Sequence, residues 1–139
     1  MRQGYPNNYT TVLLYAAPTH RAGKRLRRIV DQLVTEEHKE FYQSITRLTQ
    51  RLRRPLGERP IGVFLARDAD ELATLLSVRD LLRDLRVILV VQDHKEDTLS
   101  LAHALCPRYV TYADGDLDDV AAVMGKMMGK HGRDRGVGQ

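Results

Sequence analysis

Residues able to do chemistry are scattered along this chain without the spacing that chemistry needs. Five histidines (20, 38, 94, 103 and 131) and one cysteine, Cys106, show no ligand spacing for a metal site. No serine or cysteine stands in a context that would pair it with His and Asp as an activated nucleophile. The stretch Pro18-Thr-His-Arg-Ala-Gly-Lys-Arg25 has the length of a phosphate-binding loop. Proline occupies its first glycine position, however, and Arg25 the position of the metal-binding hydroxyl, so it reads as the basic start of a helix. Asp114-Gly-Asp-Leu-Asp-Asp119 resembles a calcium loop only in charge. Such a loop needs glycine at its sixth position and glutamate at its twelfth, where Asp119 and Gly125 stand. Acidic residues at a helix N-terminus, favoured by the dipole, are the simpler reading. Cys106 follows Ala104 and Leu105 and is expected to be a small buried thiol. No metal, no cofactor and no enzymatic activity are expected.

Basic residues form the one strong local cluster. Arg21, Lys24, Arg25, Arg27 and Arg28 crowd one helical segment, and Arg47, Arg51, Arg53, Arg54 and Arg59 crowd the next and its loop. Such runs are ordinarily the solvated faces of amphipathic helices. Their functional counterpart is an anion-binding face at Arg21, Lys24, Arg25, Arg28, Arg51 and Arg54. No nucleic-acid recognition motif accompanies them.

The elements that would position these residues alternate strand and helix. Residues 10–17 (TTVLLYAA), 61–66 (IGVFLA) and 86–91 (RVILVV) are short apolar runs of the kind buried on both faces of a sheet. Residues 108–112 (RYVTY) form a further strand. Residues 37–42 (EHKEFY) are too polar for a central strand, and Phe41 and Tyr42 suit a short edge strand. In the alternative, the first helix runs on through Arg54. Helical stripes fall at Ala22, Leu26, Ile29, Val30, Leu33 and Val34, with Thr19 as N-cap, and at Ile45, Leu48 and Leu52. Further stripes fall at Leu72, Leu75, Leu76 and Leu82 after an Asp68 cap, and at Leu99, Ala102 and Leu105 after Asp93 or Asp97. The last runs through Leu117, Val120, Ala121, Met124, Met127 and Met128. This alternation predicts an α/β fold, a five-stranded parallel sheet with helices on both faces. A length of 139 residues fits one domain, expected over 1–129, with 130–139 as a disordered basic tail. An apolar share of 42% and a charged share of 29% are those of a soluble globular protein, and a net charge of +4 is mildly basic. No apolar run approaches the ~18 residues of a membrane span, and the N-terminus lacks a signal pattern, so a cytoplasmic protein is expected.

On this pattern the chain resembles a response-regulator receiver domain. IGVFLA matches the family's third strand, RVILVVQDHKEDTLSLAHAL its fourth strand and helix, and RYVTYADGDLDDVAAVM its fifth strand and last helix. VLLYAAP at 12–18 then falls on the first strand. The resemblance implies a flavodoxin-like strand order of 2-1-3-4-5. It also implies a phosphorylation pocket, and there the chain departs from the family throughout. The acidic pair falls on Ala16 and Ala17, the phosphoacceptor on Ala66, the hydroxyl on Val91 or Gln92, and the lysine on Tyr112. Methyl groups supply no ligands for magnesium and no nucleophile for a phosphoryl group. Asp68, two residues past Ala66, reads as a helix cap rather than a displaced acceptor. Tyr109 matches an aromatic position whose ring swings between buried and exposed states in the family, and here it is expected to be fixed instead as part of a binding face. The resemblance therefore implies a degenerate, non-phosphorylated receiver acting in signalling or regulation by protein–protein contact. The expected contact face combines the fourth helix, fifth strand and last helix, through Leu101, His103, Arg108, Tyr109, Tyr112 and Met124. Tyr109 and Tyr112, three apart on a short strand, should point to opposite faces. The expected partner is another protein, a second copy of this chain among the candidates. The alternative is a nucleic-acid-binding regulator using the arginine-rich first two helices.

Overall fold

The computed structural model describes residues 10–17 and 21–129. Thr19, with the rest of 18–20, and residues 130–139 lie outside the described residues. Five strands form one parallel sheet in the order β2-β1-β3-β4-β5. They are β1 (Val12–Tyr15), β2 (Lys39–Tyr42), β3 (Ile61–Ala66), β4 (Arg86–Val91) and β5 (Tyr109–Tyr112). The helices are α1 (Arg21–Leu33), α2 (Ile45–Leu52), α3 (Ala69–Ser77), α4 (Arg79–Leu82), α5 (Glu96–Ala104) and α6 (Asp118–Met127).

Side-chain alternation divides the core into two layers. Val12, Leu14, Val63, Leu65, Ile88 and Val90 face α1 and α6. Leu13, Tyr15, Phe64, Ala66, Leu89 and Val91 face α2, α3 and α5. β3 and β4 are buried along their whole length, which is why they read as unbroken apolar runs. The helix capped by Asp68 starts as expected, its Oδ1 accepting the Glu71 N–H at 2.9 Å.

The edge strand expected within 37–42 forms as β2, and the first helix does not run on: it ends at Leu33, and a one-turn 3-10 helix (Glu36–His38) leads into the strand. Three local expectations changed, at the Leu72–Leu82 stripe, at the start of α5 and at Cys106. Lys39 fixes that junction, its ammonium 2.8 Å from Asp31 and 3.4 Å from Glu36. The stripe from Leu72 to Leu82 is two helices, α3 and α4, broken at Val78 (φ −115°, ψ 22°). Neither aspartate occupies the N-cap of α5; Lys95 does, while Asp93 accepts the Lys95 N–H at 2.9 Å. Cys106 is exposed rather than buried. α5 stops at Ala104, Leu105 takes the buried position, and Cys106 turns outward in the left-handed region (φ 54°) just before Pro107. Among the described residues no helix is long and apolar enough to cross a membrane.

Candidate functional site

The carboxyl ends of the strands carry small side chains and closed contacts. Ala66 ends β3 at 1% exposure, and Ala16 and Ala17 follow β1. α1 approaches this point so closely that a Cβ on Gly23 would lie 3.1 Å from the Ala16 Cβ. Of the residues at the expected metal and acceptor positions, none offers a side-chain oxygen.

On the other face a buried network fills the space beside β3. The Tyr15 phenol donates to Glu71 Oε2, and Glu71 Oε1 accepts the Arg67 N–H at 2.7 Å. The Arg67 guanidinium lies 3.4 Å from Oε2. Burial, then the Glu71 carboxylate, pushes the Tyr15 phenol well above its ordinary range. Glu71 is the buried acid of the strand ends, and both its oxygens are engaged. The sequence carried one signal for it: Asp68-x-x-Glu71 has capping-box spacing, which turns the Glu71 side chain back toward the start of its helix. At the lysine position, Tyr112 is covered by His94, whose ring stacks on it at 3.6 Å between centroids and 18° between planes. His94 Nε2 is in turn 3.6 Å from Asp114. Among the described residues no group of three His, Cys, Asp or Glu could hold a metal ion.

The β5 side brings together most of the expected contact residues. His103 and Arg108 are exposed, and Leu101, Tyr109 and Tyr112 are half-buried. Tyr109 packs on the α1/α6 layer and Tyr112 on the α5 layer, so the two rings face opposite ways. Tyr109 is tied down: its phenol donates to Asp119 Oδ2 at 2.6 Å, and Thr111 donates to the same oxygen at 3.0 Å. That hydrogen bond raises the Tyr109 phenol above its ordinary value. Met124 does not belong to this face. It is fully buried in the core, because α6 turns its 117-120-124 stripe inward. The adjoining stripe places Val123 one turn after Asp119, and Val110 lies beside Tyr112 in the other layer; both are half-buried. The apolar periodicity of α6 did not distinguish Met124 from Val123.

The basic residues split into two groups. Arg21, Arg25 and Arg28 share one exposed stripe of α1, and Arg25 reaches the Gly115 carbonyl at 3.4 Å, toward the loop after β5. Lys24 and Arg27 lie on the side of α1 that flanks β2. α1 and α2 cover opposite faces of the sheet, so their arginines meet at the β2 edge. There Arg27 sits over the Phe41 ring, 4.2 Å from its centroid. Arg51 grips Glu40 with two bonds of 2.7 and 3.2 Å, and the Tyr42 phenol donates to the same carboxylate. Burial would raise the Glu40 carboxyl, but the bonds from Arg51 and Tyr42 hold it below its ordinary value. Burial and Glu40 together push the Tyr42 phenol up to about 12.

No protein-family model matches the chain, and no curated protein is similar to it. A crystal structure of a pilus assembly-related protein from Burkholderia pseudomallei K96243 is similar in shape, with a TM-score of 0.65. The likeness covers 92% of this chain and 96% of that one, at 18% identity. The fold is receiver-like, with flavodoxin-like topology. At that identity the likeness extends to fold alone.

Proposed function

We propose that this chain is a receiver-like regulatory domain that takes no phosphoryl group and acts by protein–protein contact through its β5 side. The observation that carries the reading is the chemistry of the strand ends. Alanines stand where a phosphoryl pocket needs carboxylates, and the Tyr15–Glu71–Arg67 network and the His94–Tyr112 stack occupy the space around them. Ala16, Ala17 and Ala66 offer magnesium no oxygen and a phosphoryl group no nucleophile, which favours work done by the surface. The β5 side offers a fixed tyrosine and a half-buried apolar set of Leu101, Val110, Tyr112 and Val123, with Arg108 and His103 at its rim. Apolar centres ringed by polar groups suit protein contacts, and tyrosine is enriched among residues that dominate them. The name of the structural neighbour, a pilus assembly-related protein, agrees with work inside a protein assembly.

The test is association of the full chain, with itself by sedimentation and with partners by capture from the native cell. Val123→Asp, Tyr109→Ala and Arg108→Glu are compared with the unchanged protein, with melting temperature measured alongside. At least one variant that stays folded should associate at least ~10-fold more weakly, the ~1.4 kcal/mol expected of a central contact. If all three stay folded and associate normally, the contact lies elsewhere.

A further inference from the structure

The β2 edge carries a feature that the regulatory reading does not use. Two shallow recesses of about 470 and 350 Å³ lie side by side there, sharing Tyr42 and Arg47. A smaller one of about 70 Å³ adjoins them through Arg27, Phe41 and Tyr42 and reaches the end of β1. Together they form a groove over the carboxyl end of β2, with α1 on one bank and α2 on the other.

Its charge is one-sided. Lys24, Arg27, Arg47, Arg51 and Arg54 line it, and among the described residues no aspartate or glutamate does. Arg51 is already committed to Glu40. Lys24, Arg27, Arg47 and Arg54 form no salt bridge among the described residues. Arg47 and Arg51 stand one turn apart on α2, ~5–6 Å between neighbours, and Arg54, just past the helix end, lines the same recess. A row of cations suits a ligand that carries a charge on every unit of its chain. The row ends at Arg27 over Phe41, and a guanidinium held against an aromatic ring is a platform on which a base stacks. Gln43 and Gln50 are the other polar side chains free to hydrogen-bond, too few to read a sequence.

We propose that this groove binds single-stranded nucleic acid without sequence preference, its phosphates along Arg47 and Arg54 and a base on the Arg27–Phe41 pair. An acidic peptide shares the charge but gains nothing from the stacking platform. A duplex buries its bases away from it. The proposal stands apart from the β5 contact, since the two lie on opposite edges of the sheet.

The test is fluorescence anisotropy of the full chain with short labelled oligonucleotides, single-stranded oligo-dT and a mixed sequence, across a salt series. Both strands should bind with similar affinity. The logarithm of the binding constant should fall linearly with the logarithm of salt, with a slope near −2 to −3, the value for about three or four phosphates on a single strand. Arg27→Glu with Arg47→Glu should weaken binding at least ~10-fold at low salt. Arg47→Glu with Arg54→Glu, both exposed, serves if the first pair disturbs folding. Phe41→Leu, which keeps every charge, should weaken binding several-fold and leave the salt slope unchanged. Lys95→Glu with Lys126→Glu makes the same change of net charge away from the groove and should cost less than threefold. The proposal is overturned by no binding at low salt, by polyglutamate competing as well as the oligonucleotide, by tighter binding of the duplex, or by equal losses in the groove and control pairs.

Discussion

Both edges of the sheet hold a half-buried tyrosine whose phenol donates to a nearby carboxylate, Tyr42 to Glu40 at β2 and Tyr109 to Asp119 at β5. The surroundings differ. Glu40 is also gripped by Arg51, and further arginines stand around it unpaired. Asp119 has a second hydroxyl, from Thr111, but no cation within pairing distance among the described residues, and its Oδ1 is buried without a partner. The β2 edge has neutralised its own acid and holds cations in excess, and an edge so charged resists pairing with another strand. The β5 edge keeps an acid with no cation partner on the Tyr109 and Val123 face, with Val110 and Leu101 on the opposite face of the sheet. The same tyrosine–acid pair thus sits in two electrostatic settings, one among cations in excess and one beside apolar side chains.

Neutralising each acid in turn probes this contrast. Glu71, buried between the edges and bonded by Tyr15 and the Arg67 N–H, sets the upper limit. Glu71→Gln should cost about 2–3 kcal/mol in denaturant unfolding, the range for a buried charged hydrogen-bonding group. Glu40→Gln should cost about 1 kcal/mol, since it leaves Arg51 without its acid in a partly exposed site. Asp119→Asn should fall within about 0.5 kcal/mol of the unchanged protein, because losing an unpaired charge offsets the weaker bonds to Tyr109 and Thr111. If Asp119→Asn proves the costliest of the three, the contrast between the edges collapses.

pH gives a finer measure. Glu40 is held below its ordinary value of 4.5, so its contribution is complete above that value and is lost as pH falls through the depressed one. The acid limb of a melting-temperature profile should be shallower in Glu40→Gln. At the alkaline end Tyr15, Tyr42 and Tyr109 are all raised from 10.0. Their contributions are complete below that value and fall away as pH rises, because the unfolded chain releases those protons first. Lys39, raised from 10.5 by its bond to Asp31, acts in the same direction. Phenolate absorbance of the folded protein should show a step near 12 that Tyr42→Phe removes. A profile in which every tyrosine ionises near 10 would show that these phenols are not held by their acids.

The sheet was legible because β3 and β4 are unbroken apolar runs and Phe41-Tyr42 marks an edge strand in an otherwise polar stretch. The positions of Ala16, Ala17, Ala66 and Tyr112 were legible too, since each lies at or directly after the end of a strand. What was missed depends on how helices are rotated and where they stop. Met124 and Val123 are equally apolar, and only the seating of α6 buries one and leaves the other half out. Cys106 follows a helical stripe but lies past the helix end. The meeting of two basic helices at one edge needs the faces they cover, which no local pattern supplies. Glu71 was hidden because a charged residue in a first helical turn is ordinarily solvated.

The most direct measurement is to offer the chain the chemistry it should be unable to perform. The full protein is incubated with magnesium and acetyl phosphate, and separately with magnesium and beryllofluoride, and followed by intact mass and melting temperature. No phosphoryl adduct should form and no magnesium-dependent rise in melting temperature should appear. Ala66→Asp alone should behave in the same way, because Ala16 and Ala17 still offer no oxygen to the metal. A mass gain of one phosphoryl group, or stabilisation that requires both magnesium and beryllofluoride, would contradict a domain that works by its surfaces alone.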